Sequence, residues 1–172
     1  MSKHNQFPIP PRYRGAEAVA ACKSKACEQA KSFLSRWDMR SGGALLGPTR
    51  CGKSVVAGLS GDRAAAKLGE GSQTWTKWIR ADYLTRMIHE RSGGEMVNEL
   101  KLARVLIIDE MGYERFPELC LEVIGDRHDN QRPVIITSGM RVKEFAARYS
   151  DATLARIAEI GNGIIVDCWG DK

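Results

Sequence analysis

The eight residues Gly47-Pro48-Thr49-Arg50-Cys51-Gly52-Lys53-Ser54 limit what this chain can fold into more than any other feature. They follow a short apolar run, Ala44-Leu45-Leu46, and lead into an alanine-rich stretch, Ser54 to Leu68, that reads as a helix stopped by Gly69 and Gly71. A glycine, four free positions, a second glycine, a lysine and a hydroxyl residue, set between a strand and a helix, let backbone N–H groups turn inward around an anion. The helix start adds the positive end of its dipole. From average residue usage, chance supplies such a match in 172 residues less than about one time in a hundred. Gly47 to Ser54 are therefore expected to hold the phosphates of a nucleotide. Lys53 should reach the β- and γ-phosphates, and the Ser54 hydroxyl should ligate Mg²⁺. Arg50 is expected to point outward. Cys51 reads as a small loop residue whose thiol is a candidate for redox sensitivity.

A second run, Val105-Leu106-Ile107-Ile108, is apolar without alternation and ends in two carboxylates, Asp109 and Glu110. Such a run suits a strand covered on both faces. Ligands of open parallel sheets bind beyond the carboxyl ends of the strands, which brings Asp109 beside the phosphate loop. There it can hold Mg²⁺ directly or through water. Glu110 is placed to polarise an attacking water, a group that a hydrolase needs and many phosphotransferases do not.

The remaining elements alternate. Ala16 to Trp37 reads as a helix whose inner face is Ala18, Ala21, Cys22, Phe33, Leu34 and Trp37, and Gly42-Gly43 then breaks the chain. Strands are expected at Ala44–Leu46, Thr74–Ile79, Val105–Ile108, Pro133–Thr137 and Gly163–Asp167. Helices are expected at Ala81–Glu90, Glu95–Leu102, Pro117–Asp129, Val142–Tyr149 and Ala152–Ile160, with Ser92-Gly93-Gly94 as a break. This pattern predicts an α/β fold with a five-stranded, mostly parallel sheet flanked by helices. Residues 1–15, rich in proline, form an arm, and 16–172 form one domain.

The net charge of +5 permits contact with nucleic acid without establishing it. The spacings of the five cysteines fit no common zinc pattern, and thiols in a reducing cytosol are the expectation. The N-terminus lacks the apolar core of a signal peptide, and no apolar run approaches the ~20 residues that cross a bilayer. A cytoplasmic protein without membrane contact is expected.

Taken together, these blocks resemble the AAA+ ATPases of the DnaC/IstB type, the bacterial helicase loaders and transposition helper ATPases. The resemblance runs from about Pro8 to near the end of the chain. It rests on Ile9-Pro10-Pro11-Arg12-Tyr13, the phosphate loop, Ile107-Ile108-Asp109-Glu110-Met111-Gly112, Asp126-Arg127-His128, Pro133 to Ser138, and Ala152-Thr153-Leu154-Ala155-Arg156-Ile157. It implies ATP and ADP as ligands, Mg²⁺ as the metal, and a AAA+ core with little or no lid. It implies that Ile9 to Tyr13 border the adenine and that Thr137 stands at sensor 1. Arg156 would be an arginine finger reaching the γ-phosphate of a neighbouring subunit, in a homo-oligomer formed on ATP binding. Arg127 is left to packing or to the subunit interface. Two features depart from the family pattern. Thr137-Ser138-Gly139 lacks the usual asparagine of sensor 1, and Trp169-Gly170-Asp171-Lys172 lacks the arginine of sensor 2. With fewer than about twenty residues before the core, the domain by which loaders grip their helicase is not expected in this sequence.

The family also implies a path for single-stranded DNA after the second strand. Here Lys77, Arg80, Arg86, His89 and Arg91 mingle with Trp75, Trp78 and Tyr83, which suits a strand-binding groove or, equally, a core with a solvated rim. The leading expectation is an ATP-hydrolysing, loader-like assembly switch in DNA replication, with a replicative helicase as partner. The alternatives are an IstB-like transposition helper, a catalytically weak loader mimic that caps assembly, and a small-molecule phosphotransferase. Glu110 argues against the last.

Overall fold

Apolar runs rich in Val, Ile and Leu become the strands β1 (Gly43–Leu46), β2 (Thr76–Arg80), β3 (Val105–Met111), β4 (Val134–Ser138) and β5 (Ile164–Asp167). The computed structural model describes residues 8–14, 25–69, 75–87 and 93–170. All the strand pairings are parallel, in the order β2-β3-β4-β1-β5. The helices between them are α1 (Lys25–Arg36), α2 (Lys53–Leu68), α3 (Ala81–Met87), α4 (Gly93–Leu102), α5 (Glu118–Asp129), α6 (Val142–Tyr149) and α7 (Asp151–Glu159).

The absence of alternation in the strands has a direct cause. Successive side chains enter two different cores, one on each face of the sheet. Leu106, Ile108, Val134 and Ile136 join Leu84, Leu100, Val123, Phe145 and Ile157 on the face covered by α3 to α7. Val105, Ile107, Ile135 and Val166 join Phe33, Trp37, Val56 and Ala64 on the face covered by α1 and α2. Each fully buried aliphatic side chain contributes roughly 1.5–3 kcal/mol, so neither face is stable bare.

The arm is anchored. Ile9 is buried in the α1–α2 core, and Arg14 Nε donates to the Ile9 carbonyl at 2.9 Å. Two glycines of α2 make room for it. A Cβ at Gly58 would stand 2.6 Å from the Tyr13 carbonyl oxygen, and one at Gly61 would stand 2.7 Å from Ile9 Cδ1.

Several boundaries differ from the sequence reading. The helix expected from Glu95 starts two residues earlier, at Gly93. β3 continues through Asp109 and Glu110 to Met111. β2 begins at Thr76 and includes Arg80. The early part of the first expected helix, with Ala18, Ala21 and Cys22, lies outside the described residues, as do Ile88, His89 and Arg91. Cys51, Cys120 and Cys168 are free buried thiols as expected, but Cys27 is disulfide-bonded, which corrects the expectation of thiols throughout. Among the described residues no helix is long and apolar enough to cross a membrane.

Candidate nucleotide site

The carboxyl ends of β1, β3 and β4 meet the start of α2 at a cleft of about 520 Å³. The phosphate loop joins β1 to α2, with Arg50 at φ 62° and Gly52 at φ 85°, both in the left-handed region. Gly52, which lacks a Cβ, adopts this conformation without strain directly at the helix start. The Gly47 N–H donates to the Ser138 carbonyl at 3.0 Å and ties the loop to β4. Lys53 Nζ lies along the loop, donating to the carbonyls of Gly47 at 2.8 Å and Pro48 at 2.7 Å. Thr49, Arg50, Gly52, Lys53 and Ser54 line the cleft. Cys51 is buried beneath it, so the outward Arg50 and the inward Cys51 divide the middle of the loop.

The two carboxylates on β3 are separated by a bulge. Ile108 pairs with Ile136 and Met111 with Ser138, so Asp109 and Glu110 together oppose Thr137 alone. Glu110 takes φ 58°, a left-handed conformation that is rare for a residue with a side chain. Bulges re-aim side chains beside functional sites, and such a conformation costs of order 1–3 kcal/mol unless its surroundings hold it. Thr137 holds it. Its hydroxyl accepts the Glu110 N–H at 3.0 Å and donates to Asp109 Oδ1 at 2.6 Å. Ser54 Oγ donates to the same Asp109 oxygen at 2.8 Å. Burial holds the pKa of Asp109 above the usual carboxylate value, against the opposing pull of the Thr137 and Ser54 hydrogen bonds. Two hard oxygen donors, the Ser54 hydroxyl and the Asp109 carboxylate, thus converge at one point of the cleft, a donor set that fits Mg²⁺.

Glu110 faces the cleft, half exposed, and pairs with Arg80 at 3.1 Å; Arg80 also holds Asp82 at 3.0 Å. The sequence reading left Arg80 between a DNA groove and a solvated rim. Its position at the end of β2, beside the end of β3, instead puts it on the second carboxylate. Two tyrosines also line the cleft, Tyr13 from the segment that the resemblance set beside the adenine and Tyr113, which no motif announces. Tyr13 enters from the arm, stacked on Trp78 with ring centroids 5.0 Å apart. Tyr113 enters from the loop after β3, and a Cβ at Gly139 would lie 3.4 Å from its hydroxyl. The loop carrying Tyr113 is fixed by Glu114, whose buried carboxylate accepts the Gly112 N–H at 2.8 Å and bonds the Tyr149 hydroxyl and Arg148 of α6.

The other expected site residues lie elsewhere. Arg156 is exposed on α7 and is not part of the cleft lining. Arg127 is fully buried, and its guanidinium donates to the carbonyls of Leu100, Lys101, Arg104 and Pro133. Of the two roles left open for Arg127, this is packing. The proposed groove is divided. Trp78 and Lys77 are buried, and Lys77 pairs with Glu99 at 3.1 Å. Arg80, Tyr83 and Arg86 remain on the surface near one end of β2, whereas Trp75 lies at the other end with Arg104 over its ring.

A parallel sheet in this strand order, with a phosphate loop after β1 and paired carboxylates on β3, is the core of a AAA+ P-loop nucleotide-binding protein. The chain belongs to the IstB-like ATP binding protein family, whose sequence profile matches residues 21–159. No curated protein matches its sequence significantly. The fold is similar to that of the DnaC helicase loader, with a TM-score of 0.66 at 19% identity over 91% of this chain and 99% of that one. It is similar to DnaI, with a TM-score of 0.68 at 17% identity over 94% and 93%. AMPPCP-bound DnaA from Aquifex aeolicus gives a TM-score of 0.58 at 18% identity, over 92% of this chain and 50% of that one. At these identities the likeness speaks for the fold.

Proposed function

We propose that this chain, through residues 16–172, binds ATP with Mg²⁺ and hydrolyses it as a loader-like assembly switch in DNA replication. The observation that carries the reading is the hydrogen-bonded set Ser54–Asp109–Thr137 with Glu110 turned beside it into the cleft. Loop N–H groups and Lys53 hold the phosphates, Lys53 exchanging the Gly47 and Pro48 carbonyls for phosphate oxygens. Ser54 and Asp109 hold Mg²⁺, which when bound offsets charge on the phosphate oxygens. Glu110 orients and polarises the attacking water and accepts its proton. Arg80 steers the Glu110 carboxylate. Tyr113 offers a hydroxyl at the place where the family's asparagine would extend from position 139. Tyr13 borders the base, and Thr137 acts by holding the bulge.

Arg156 lies outside its own cleft, which supports a role toward the nucleotide of a neighbouring copy, in a homo-oligomer formed on ATP binding. The fold shared with DnaC and DnaI supports a replicative helicase as the partner. A DnaA structure of this fold is bound to AMPPCP and single-stranded DNA, which supports DNA as a second partner. The IstB-like family match supports a second reading, a transposition helper acting on duplex DNA.

Phosphate release measured without any added acceptor tests the reading. The wild type should turn over ATP, and Glu110→Gln should bind ATP while losing about a hundredfold or more in rate. Lys53→Ala should lose binding itself. A wild type that binds ATP but releases no phosphate, even with helicase and DNA present, would make the chain a non-hydrolysing cap. Recovery of a replicative helicase on the chain in ATP, or stimulation by duplex but not single-stranded DNA, separates the loader from the helper.

A further inference from the structure

Two cysteines meet beneath the phosphate loop and have no part in the chemistry above. Cys51 is 2% exposed and Cys168 is fully buried, and both are free thiols. Cys168 follows β5, and its N–H donates to the Leu46 carbonyl at 2.6 Å, which sets it directly under the start of the loop. Both flank Gly47, where a Cβ would lie 2.4 Å from Cys168 Cβ and 3.2 Å from Cys51 Sγ. Only glycine at 47 leaves space for the two side chains to approach each other. The Cys51 and Cys168 side chains thus face the same small space over Gly47. Lys53 Nζ, the loop's phosphate-binding cation, stands 3.7 Å from the Cys51 sulfur.

We propose that Cys51 and Cys168 are a peroxide-responsive disulfide pair that closes the phosphate loop to nucleotide. The gating half of this rests on the nucleotide-binding reading above; the formation of the bond does not. The two thiols differ as an attacking and a resolving cysteine must. The neighbouring Cys168 thiol and then the charge of Lys53 draw the Cys51 thiol down against burial, while Cys168 is pushed well up. Cys51 is thus the one of the pair that ionises more readily, and Cys168 the one held as a thiol. Cys120, in contrast, is buried with its thiol pushed up by burial and by the charge of Glu114.

The Cys51 thiolate attacks one oxygen of hydrogen peroxide. An S–O bond forms, the O–O bond breaks, and the departing hydroxide takes a proton to become water. Cys168 then gives up its proton and attacks the sulfenic sulfur. The S–S bond forms, the S–O bond breaks, and a second water leaves. Two thiols lose one electron each and the peroxide gains both. The bond draws the sulfurs to about 2.05 Å and fastens the middle of the loop to the segment after β5. Loop N–H groups that must wrap a phosphate are then tethered, with Lys53 kept on the Gly47 and Pro48 carbonyls.

The test treats the full chain with hydrogen peroxide and then with dithiothreitol. Non-reducing peptide mapping by mass reads the cross-link, and a fluorescent ATP analogue reads binding. The expected result is a Cys51–Cys168 cross-link with binding weakened about tenfold or more, restored by the reductant. Cys168→Ala, shown folded by its thermal melt, should keep its binding after peroxide. Absence of the cross-link overturns the proposal, and so does a cross-link that leaves wild-type binding unchanged. Equal loss of binding in Cys168→Ala also overturns it. If the reduced wild type binds no nucleotide, the functional reading and the gate fall together, while the cross-link is still decided by mass.

Discussion

Replacing Thr137 with valine keeps its volume and removes one hydroxyl, yet that hydroxyl holds the Asp109 carboxylate and the Glu110 backbone together. The Glu110 N–H loses its acceptor and Asp109 loses a donor. A buried polar group left unpaired costs about 1–3 kcal/mol. Thr137→Val should therefore lower stability by that order in urea unfolding. It should also slow ATP turnover more than it weakens ATP binding, because the bulge aims Glu110. Thr137→Ser should restore most of both. Equal turnover in the valine and serine variants would remove Thr137 from the site's support. Ser54, Asp109 and Glu110 were legible in sequence, because phosphate chemistry asks for those residue types at those places. The bulge was not. It comes from the register of β3 against β4, and pairing between strands leaves no mark on either strand read alone.

At the scale of elements, Arg127 fastens α5 to the start of the sheet. Its side chain is fully buried and reaches carbonyls at the end of α4, just before β3 and just before β4. Burial pushes its pKa down to about 9, and the neighbouring Arg132 pushes the same way. Arg127→Leu fills the space but strands those carbonyls, so a loss of about 3 kcal/mol or more is expected, measured as a lowered urea midpoint with an unchanged slope. A loss under about 1 kcal/mol would mean water replaces the guanidinium. Sequence left Arg127 between packing and an interface. Its type suggests a surface, and only the convergence of several elements gives a buried guanidinium enough acceptors.

For the whole molecule the decisive residue is Arg156, exposed on α7 and outside the cleft of its own chain. Arg156→Ala should leave ATP binding and the fold intact and lower turnover about a thousandfold, and only at concentrations where the wild type assembles. Sedimentation in ATP with a parallel phosphate-release assay reads both. Unchanged turnover in the assembled variant would end the finger assignment. The amino-acid sequence alone determined the architecture and the phosphate loop, because apolar runs, punctuation and a glycine–lysine–serine pattern are local and leave their signal in order along the chain. It also determined the family to expect, through the order of those blocks. Only the tertiary structure decided that Arg80 serves Glu110, that Trp78 stacks on Tyr13, and that Cys168 lies beneath the loop. Those pairs join residues far apart in sequence, brought together by the crossings of a parallel sheet, and no local pattern records them.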